Sequence, residues 1–375
     1  MVTETQAKSI LRRHARVDSW FISRAGMNLY RGCSHACAYC DGRAEGYYVE
    51  GDFGRDVAVK TNAIELLTRE LDPARRRVPL ASGYLMLGGG VGDAYQPIEE
   101  KYQLSREALQ LIESFGYPVH VLTKSCLVER DLDVIGRINT RRRAVVSFSF
   151  SSVNDAVSAV YEPHASPPSQ RLAAMQRLNA AGIACGMYLM PVIPFVTDSP
   201  AMIDESVAAA KAAGARFVVF GGMTLKPGRQ QEHFLSVLRR HAPQAEHQYG
   251  IIYTGDRWGS ARPEYYASLD ELFDRVAREH RMAQRIPPEL YRDLLSDNDL
   301  VAVTLDHIDY YLKQRGAQRS PYGYAAYQVS QLKQPIASLR GAIGRIKGVG
   351  PVIERVIEEI LDTRRSRELE RLASA

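Results

Sequence analysis

The sequence predicts an α/β protein: a partial, TIM-like (β/α)6 barrel followed by an α-helical C-terminal extension that ends in a helix-hairpin-helix. Three observations carry that expectation. Residues 80–225 alternate short β-branched runs with amphipathic stretches of helical spacing. Three of those stretches stop at Gly116, Gly182 and Gly214, as the position just past a helix prefers. Beyond about residue 230 the alternation fades and helical spacing takes over.

In chain order, a strand just ahead of Cys33 opens the barrel. The runs Tyr84–Gly89, Val119–Ser125, Ala144–Ser152, Cys185–Pro194 and Phe217–Thr224 complete it. Helices are expected at Leu104–Phe115, Val128–Asn139, Gln170–Ala181 and Met202–Ala213. Regular alternation implies parallel strands, and such barrels place their chemistry on loops at the carboxyl ends of the strands. Downstream, Gln230–His241, Asp270–Met282 and Leu305–Arg315 read as helices and Gly250–Thr254 as a short strand. The expected division is a basic N-terminal arm over 1–20, the barrel over 21–229, a helical extension over 230–333 and a hairpin unit over 334–375.

Composition narrows the function classes. With 375 residues, 45% hydrophobic and 24% charged, the chain has the balance of a globular protein. Its apolar runs are too short for a membrane span, and the first twenty residues contain no apolar signal stretch. No membrane partner and a cytoplasmic location are therefore expected. The net charge of +5 permits a nucleic-acid partner without demanding one. Basic runs at Arg12–Arg16, Arg75–Arg77, Arg141–Arg143 and Arg364–Arg367 read first as solvated surface.

Five cysteines are present, and three of them fall in Gly32-Cys33-Ser34-His35-Ala36-Cys37-Ala38-Tyr39-Cys40, a C-x3-C-x2-C spacing. Thiolates of Cys33, Cys37 and Cys40 on one tight loop can hold three irons of a [4Fe–4S] cluster and leave the fourth open to an outside ligand. A structural zinc site would need a closed fourth ligand. Cys126 and Cys185 lie on distant strands, and His35 is badly placed inside the loop.

The stretch Asn28-Leu29-Tyr30-Arg31-Gly32-Cys33 with this triad resembles the radical S-adenosylmethionine (SAM) superfamily. More narrowly it resembles the branch of spore photoproduct lyase and its relatives labelled DNA repair photolyases, over about residues 15–230. The resemblance implies that SAM binds the open iron. An electron from an external donor of flavodoxin or ferredoxin type then cleaves SAM to methionine and a 5′-deoxyadenosyl radical. It also implies roles for particular residues. Tyr39, just before the third cysteine, would contact the cofactor and take part in catalysis. In the turn Gly88-Gly89-Gly90-Val91-Gly92-Asp93, the backbone of Gly89 and Gly90 with the Asp93 carboxylate would receive the SAM amino group. Lys124 would meet the SAM carboxylate. Ser147, and after it Ser149, would contact the ribose and carboxylate. There are departures: Asp41 follows Cys40 where the lyase has a tyrosine, and no cysteine stands where the lyase keeps its hydrogen donor. Cys126 is the candidate for that role, or else a small buried hydrophobe. Cys185 reads as structural.

At the C-terminus, Gln334–Ile346 places Ile336, Leu339, Ile343 and Ile346 on one helical face, and Lys347-Gly348-Val349-Gly350 leads into a helix opened by Pro351. This resembles a helix-hairpin-helix, whose turn at Lys347, Gly348, Val349 and Gly350 would offer N–H groups to a DNA or RNA phosphate. The leading expectation is thus a radical SAM enzyme acting on nucleic acid, in repair or modification. The alternatives are a radical SAM enzyme acting on a small molecule or peptide, and a nucleic-acid-binding protein with a structural or redox-sensing cluster.

Overall fold

The computed structural model describes residues 1–47, 51–75, 80 and 82–374. Of the basic runs, Arg76 and Arg77 lie outside the described residues. The first strands are β1 (Val2–Thr5), β2 (Leu11–Asp18), β3 (Ser23–Met27), β4 (Tyr30–Arg31) and β5 (Val57–Lys60). After them come β6 (Tyr84–Leu87), β7 (Val119–Thr123), β8 (Ala144–Phe150), β9 (Ala184–Val192) and β10 (Val218–Gly222). The helices among the strands are α1 (Ala63–Leu71), α2 (Glu99–Tyr102), α3 (Leu104–Phe115), α4 (Leu132–Arg141), α5 (Asp155–Tyr161), α6 (Pro168–Ala180) and α7 (Pro200–Ala212). Beyond them lie α8 (Arg229–His241), α9 (Glu246–Ile252), α10 (Pro263–Glu279), α11 (Asp297–Gln314), α12 (Pro321–Ser330), α13 (Pro351–Thr363) and α14 (Arg367–Ser374).

One sheet runs β10-β9-β8-β7-β6-β3-β2. Six strands, β3 and β6 to β10, are parallel, and β2 adds an antiparallel edge. This is the expected six-unit half-barrel. Gly116, Gly182 and Gly214 take φ of 72°, 78° and 82°, the left-handed conformation that ends α3, α6 and α7. A small second sheet, β1-β5-β4, flanks the loop after β3. Residues 1–20 are therefore no free arm: two of their segments are built into sheets.

Side-chain alternation sorts the sheet into two faces. On β8, Phe148 and Phe150 join the core beneath the outer helices, while Val145 faces the hollow of the half-barrel. That hollow is closed from within. Tyr84, Met86, Val145, Tyr188 and Val219 pack against residues of the C-terminal extension such as Leu300, Val301, Leu305 and Ile308 of α11. The extension is thus continuous in its packing with the barrel, and a cleft remains at the carboxyl ends of the strands. A third cluster backs the cysteine loop, with Ala38, Tyr39, Tyr161, Ile193, Phe234 and Tyr249 among its members.

Two expectations for the second half are corrected. Gly250–Thr254 is not a strand: its start belongs to α9, where Tyr249 and Ile252 are buried one turn apart. Gln334–Ile346 is not a helix but two single 3-10 turns, Ile336–Leu339 and Ile343–Arg345. Gly341 between them has φ 81°, which breaks any continuous helix, while Ile336 and Ile343 still reach the core. The hairpin is helical on its second arm alone, α13, which does begin at Pro351.

Candidate active site

The chain leaves β4 at Gly32, whose φ of 80° turns it into the cysteine loop. The loop is tied on both sides. Gln96 accepts from Ser34 N–H at 2.9 Å and donates to Gly32 O at 3.2 Å. Arg43 donates to the carbonyls of Ala36, Cys37 and Phe53 at 3.0, 3.1 and 3.0 Å. Ala38 N–H donates to Tyr161 O at 2.8 Å. So held, Cys33, Cys37 and Cys40 line one cleft of about 480 Å³ at the carboxyl ends of the strands. Burial raises all three thiols, Cys33 well above the ordinary value and Cys37 to about 12, while Lys124 pulls Cys37 and Cys40 the other way.

Across the cleft, Gly88, Gly89 and Gly90 have φ of 89°, 95° and 73°, a run that only glycine adopts without strain. A Cβ at Gly88 would also strike the Leu122 carbonyl, so this turn lies directly on β7. Gly89, Gly90 and Asp93 line the cleft. The Asp93 carboxylate accepts from Tyr95 N–H at 2.8 Å, Thr123 Oγ at 2.7 Å and Lys124 N–H at 2.7 Å, and so locks the glycine turn to the end of β7. Burial works against its ionisation, but His35 and these donors prevail and hold it below the usual carboxylate range. His35 Nε2 stands 3.3 Å from Asp93 Oδ2, is buried, and makes no aligned hydrogen bond among the described residues.

Lys124 extends into the cleft with its ammonium 2.9 Å from Ser149 Oγ, 3.0 Å from Glu162 Oε1 and 5.7 Å from the centre of the Tyr39 ring. Glu162, just past α5, has no exposed side-chain surface. It also accepts from the Tyr39 hydroxyl, from Ser158 Oγ at 3.1 Å and from the guanidinium of Arg171. Burial disfavours its charge, yet Arg171 and then Lys124 outweigh that and keep it strongly acidic. Ser149 Oγ donates to Met190 O at 3.0 Å and lines the cleft. On the far wall, Asp41 accepts from Thr224 Oγ at 2.8 Å and from the Lys226 ammonium.

Two expected site residues lie elsewhere. Ser147 is fully buried below the cleft floor, with its hydroxyl 2.8 Å from His120 Nε2. The order expected of the two serines is therefore reversed, because Ser149 is the one that reaches the cleft. Cys126 opens a 3-10 turn after β7, with its N–H on Ser166 Oγ at 2.9 Å, and packs against the core under the outer helices. It is not among the described residues that line the cleft. Cys185 is buried in the core, as expected. In the hairpin, Gly348 has φ 84° but Gly350 has φ −89°, so only the first needs glycine for its conformation. Val349 is a core residue, 6% exposed, whose N–H donates to Ile346 O at 3.0 Å. Lys347 lies over the exposed Tyr324 ring at 6.0 Å. Glu162, Arg171 and Arg43 gave no signal in the sequence, since none belongs to a spaced motif and all are brought in by tertiary packing; Gln96 ends the glycine-rich stretch, but nothing there marked it as a partner of the cysteine loop.

The donor set suits a cluster better than a single ion. Among the described residues no three His, Cys, Asp or Glu side chains converge as one metal ion would require. A [4Fe–4S] cube instead spreads its irons over separate corners for Cys33, Cys37 and Cys40. Iron would take these thiols as thiolates despite their burial. The glycine turn and the Lys124 ammonium leave polar valence facing the cleft for a second, zwitterionic group.

Comparison with known proteins agrees. Residues 27–206 match the family model of the radical SAM superfamily. An uncharacterized protein of Mycobacterium tuberculosis is 32% identical over 71% of this chain and 78% of its own length. One of Methanocaldococcus jannaschii is 28% identical over 56% of this chain and 74% of its own. Among solved structures, spore photoproduct lyase complexed with dinucleoside spore photoproduct aligns at TM-score 0.53 and 16% identity, covering 74% of this chain and 79% of that one. A double mutant of the same lyase with bound AdoMet aligns at 0.51 and 17% over the same shares. With its cysteine loop, its glycine turn and its half-barrel, the chain belongs to the radical SAM superfamily, a radical SAM enzyme that uses a [4Fe–4S] cluster and S-adenosylmethionine.

Proposed function

We propose that this enzyme acts on a nucleic-acid substrate, in repair or modification. The cluster and SAM, when bound, supply a 5′-deoxyadenosyl radical through one-electron cleavage of the sulfonium. The chain's own residues do the rest. Cys33, Cys37 and Cys40 hold the irons. The backbone of Gly89 and Gly90 receives the SAM amino group, and Lys124 with Ser149 receives its carboxylate. Asp93 acts through the backbone, fixing the turn against β7, since its oxygens already accept three donors. Glu162 positions both Lys124 and Tyr39, and Tyr39, which lines the cleft, is the side chain we assign to the catalytic step. Electrons would come from a flavodoxin- or ferredoxin-type protein.

The observation that carries the nucleic-acid reading is the start of α13. Lys347 and the tight turn at Gly348 sit beside a helix N-terminus, where unpaired N–H groups and the helix dipole favour a phosphate. Glu354, the acidic residue of that first turn, is folded back onto Gly344 N–H at 2.9 Å. The reading is tested by incubating reduced, cluster-loaded protein and SAM with irradiated and untreated DNA and with RNA, then digesting to nucleosides for mass spectrometry. An altered nucleoside that requires SAM is expected. Unchanged nucleosides, together with SAM-dependent conversion of a metabolite or peptide, would overturn the reading.

A further inference from the structure

The strand β2 is the free edge of the seven-stranded sheet, and Arg12 to Arg16 along it are all exposed. Its pairing with β3 holds at Leu11–Arg13 and again at Asp18, and the register shifts between, so the intervening residues bulge out of the ladder. Arg16, in that bulge, places its guanidinium 5.8 Å from the centre of the Tyr327 ring. Tyr327 and Tyr324 stand one turn apart on α12, and the two residues are 47% and 44% exposed. Tyr324 carries the Lys347 ammonium and packs on Gly348, where any Cβ would collide with its ring. Strand edge and hairpin, remote in sequence, are therefore one continuous strip of cations and open aromatic rings. Arg12, Arg13, Arg16 and Lys347 have no ion-pair partner among the described residues.

The strip has a direction. Leu11 pairs with Met27 and Arg12 with Gly26, at the end of β3 that leads to the cysteine loop, whereas Asp18 pairs with Ser23 at the opposite end. It thus runs from beside the end of β3 that leads to the cysteine loop toward the hairpin. Asp18, Asp299 and Asp306 line the groove beneath it and make it acidic, so a phosphate would ride on the rim and not in the groove.

Building on the nucleic-acid reading, we propose that this strip docks a single-stranded stretch of nucleic acid. Its phosphates lie along Arg12, Arg16 and Lys347, and its bases stack on Tyr324 and Tyr327. Exposed rings accept the face of any unpaired base, while bases within a duplex are already stacked on each other and cannot reach them. Flanking cations supply the sequence-independent, salt-sensitive attraction.

The test uses full-length, anaerobically reconstituted protein and fluorescein-labelled single-stranded DNA, the matching duplex and single-stranded RNA, titrated by anisotropy at several salt concentrations. Single strands should bind more tightly than duplex. Tyr327→Ala should weaken binding about tenfold and Tyr327→Phe should restore it. The double variant Arg12→Ala with Arg16→Ala should flatten the dependence of log K on log salt by roughly 1.4, two contacts at about 0.7 each. Cluster absorbance and SAM cleavage without nucleic acid should match the parent in every variant. If the parent binds but these variants keep its affinity and slope, the strip is not the dock and the nucleic-acid reading survives. The strip is likewise ruled out as the dock if the arginine variant self-associates with unchanged affinity, because the charges would then only protect an open edge. A duplex preferred over single strands also overturns the proposal. No binding by the parent even at low salt removes the nucleic-acid reading itself.

Discussion

At Lys124 one ammonium is shared between Ser149, Glu162 and the face of Tyr39, and Glu162 in turn is shared with Arg171, whose side chain is also without exposed surface. Removing either side of such a set has distinct consequences. Lys124→Ala should weaken SAM binding by about 1.5–3 kcal/mol, the worth of a charge-assisted hydrogen bond, while the cluster stays intact. Glu162→Ala should do something different: it strands Arg171 as a buried, unpaired cation and should cost about 3–5 kcal/mol of stability. Isothermal titration of the reconstituted protein with SAM, and urea denaturation, separate the two; equal losses of affinity and stability in both variants would contradict the arrangement. The cysteines, the glycine turn and Lys124 were legible in the sequence because each belongs to a contiguous motif or a strand end. Glu162 and Arg171 were not, because they reach the cleft only through the packing of α5 and α6. The reversed order of Ser147 and Ser149 has a simple cause: alternation along β8 fixes which face a residue occupies, but not its depth below the rim.

Among the elements, the parallel strands and their helices were legible because β-branched runs and amphipathic spacing are local signals that packing reinforces. Where the C-terminal segment differs, the signal itself was ambiguous. Ile336 and Ile343 have helical spacing and are buried, yet two 3-10 turns separated by Gly341 bury them as well as a helix would. The geometry of the hairpin also divides its two glycines. Gly348→Ala forces a left-handed φ on alanine and pushes a methyl into Tyr324, and should destabilise by about 1–2 kcal/mol or more. Gly350→Ala points its methyl into open space from an extended conformation and should cost less than about 1 kcal/mol. Urea denaturation midpoints of the two variants check this; equal destabilisation would show that the turn is not formed as described.

At the scale of the molecule, function follows from how the half-barrel is closed. The helical extension fills the hollow from Tyr84 to Val219, so reactants have access to the hollow at the strand ends, where the three thiols, the glycine turn and Lys124 meet. The sequence indicated a helical extension but not that α11 would be the inner plug, since the apolar spacing of a helix does not say which surface receives it. A plugged hollow confines the radical chemistry to the cleft at the strand ends, whose wall includes the apolar side chains of Phe21, Leu122 and Met190. The cleft's identity rests most directly on the cysteine loop. The decisive measurement is the amount of 5′-deoxyadenosine released when reduced, reconstituted protein is mixed with SAM in the absence of oxygen. The parent protein should release it and Cys37→Ala, left with two thiolates on the loop, should lose both the cluster absorbance and the product. A parent protein that holds a full cluster yet releases no 5′-deoxyadenosine, or a Cys37→Ala variant that still releases it, would contradict the assignment of this cleft.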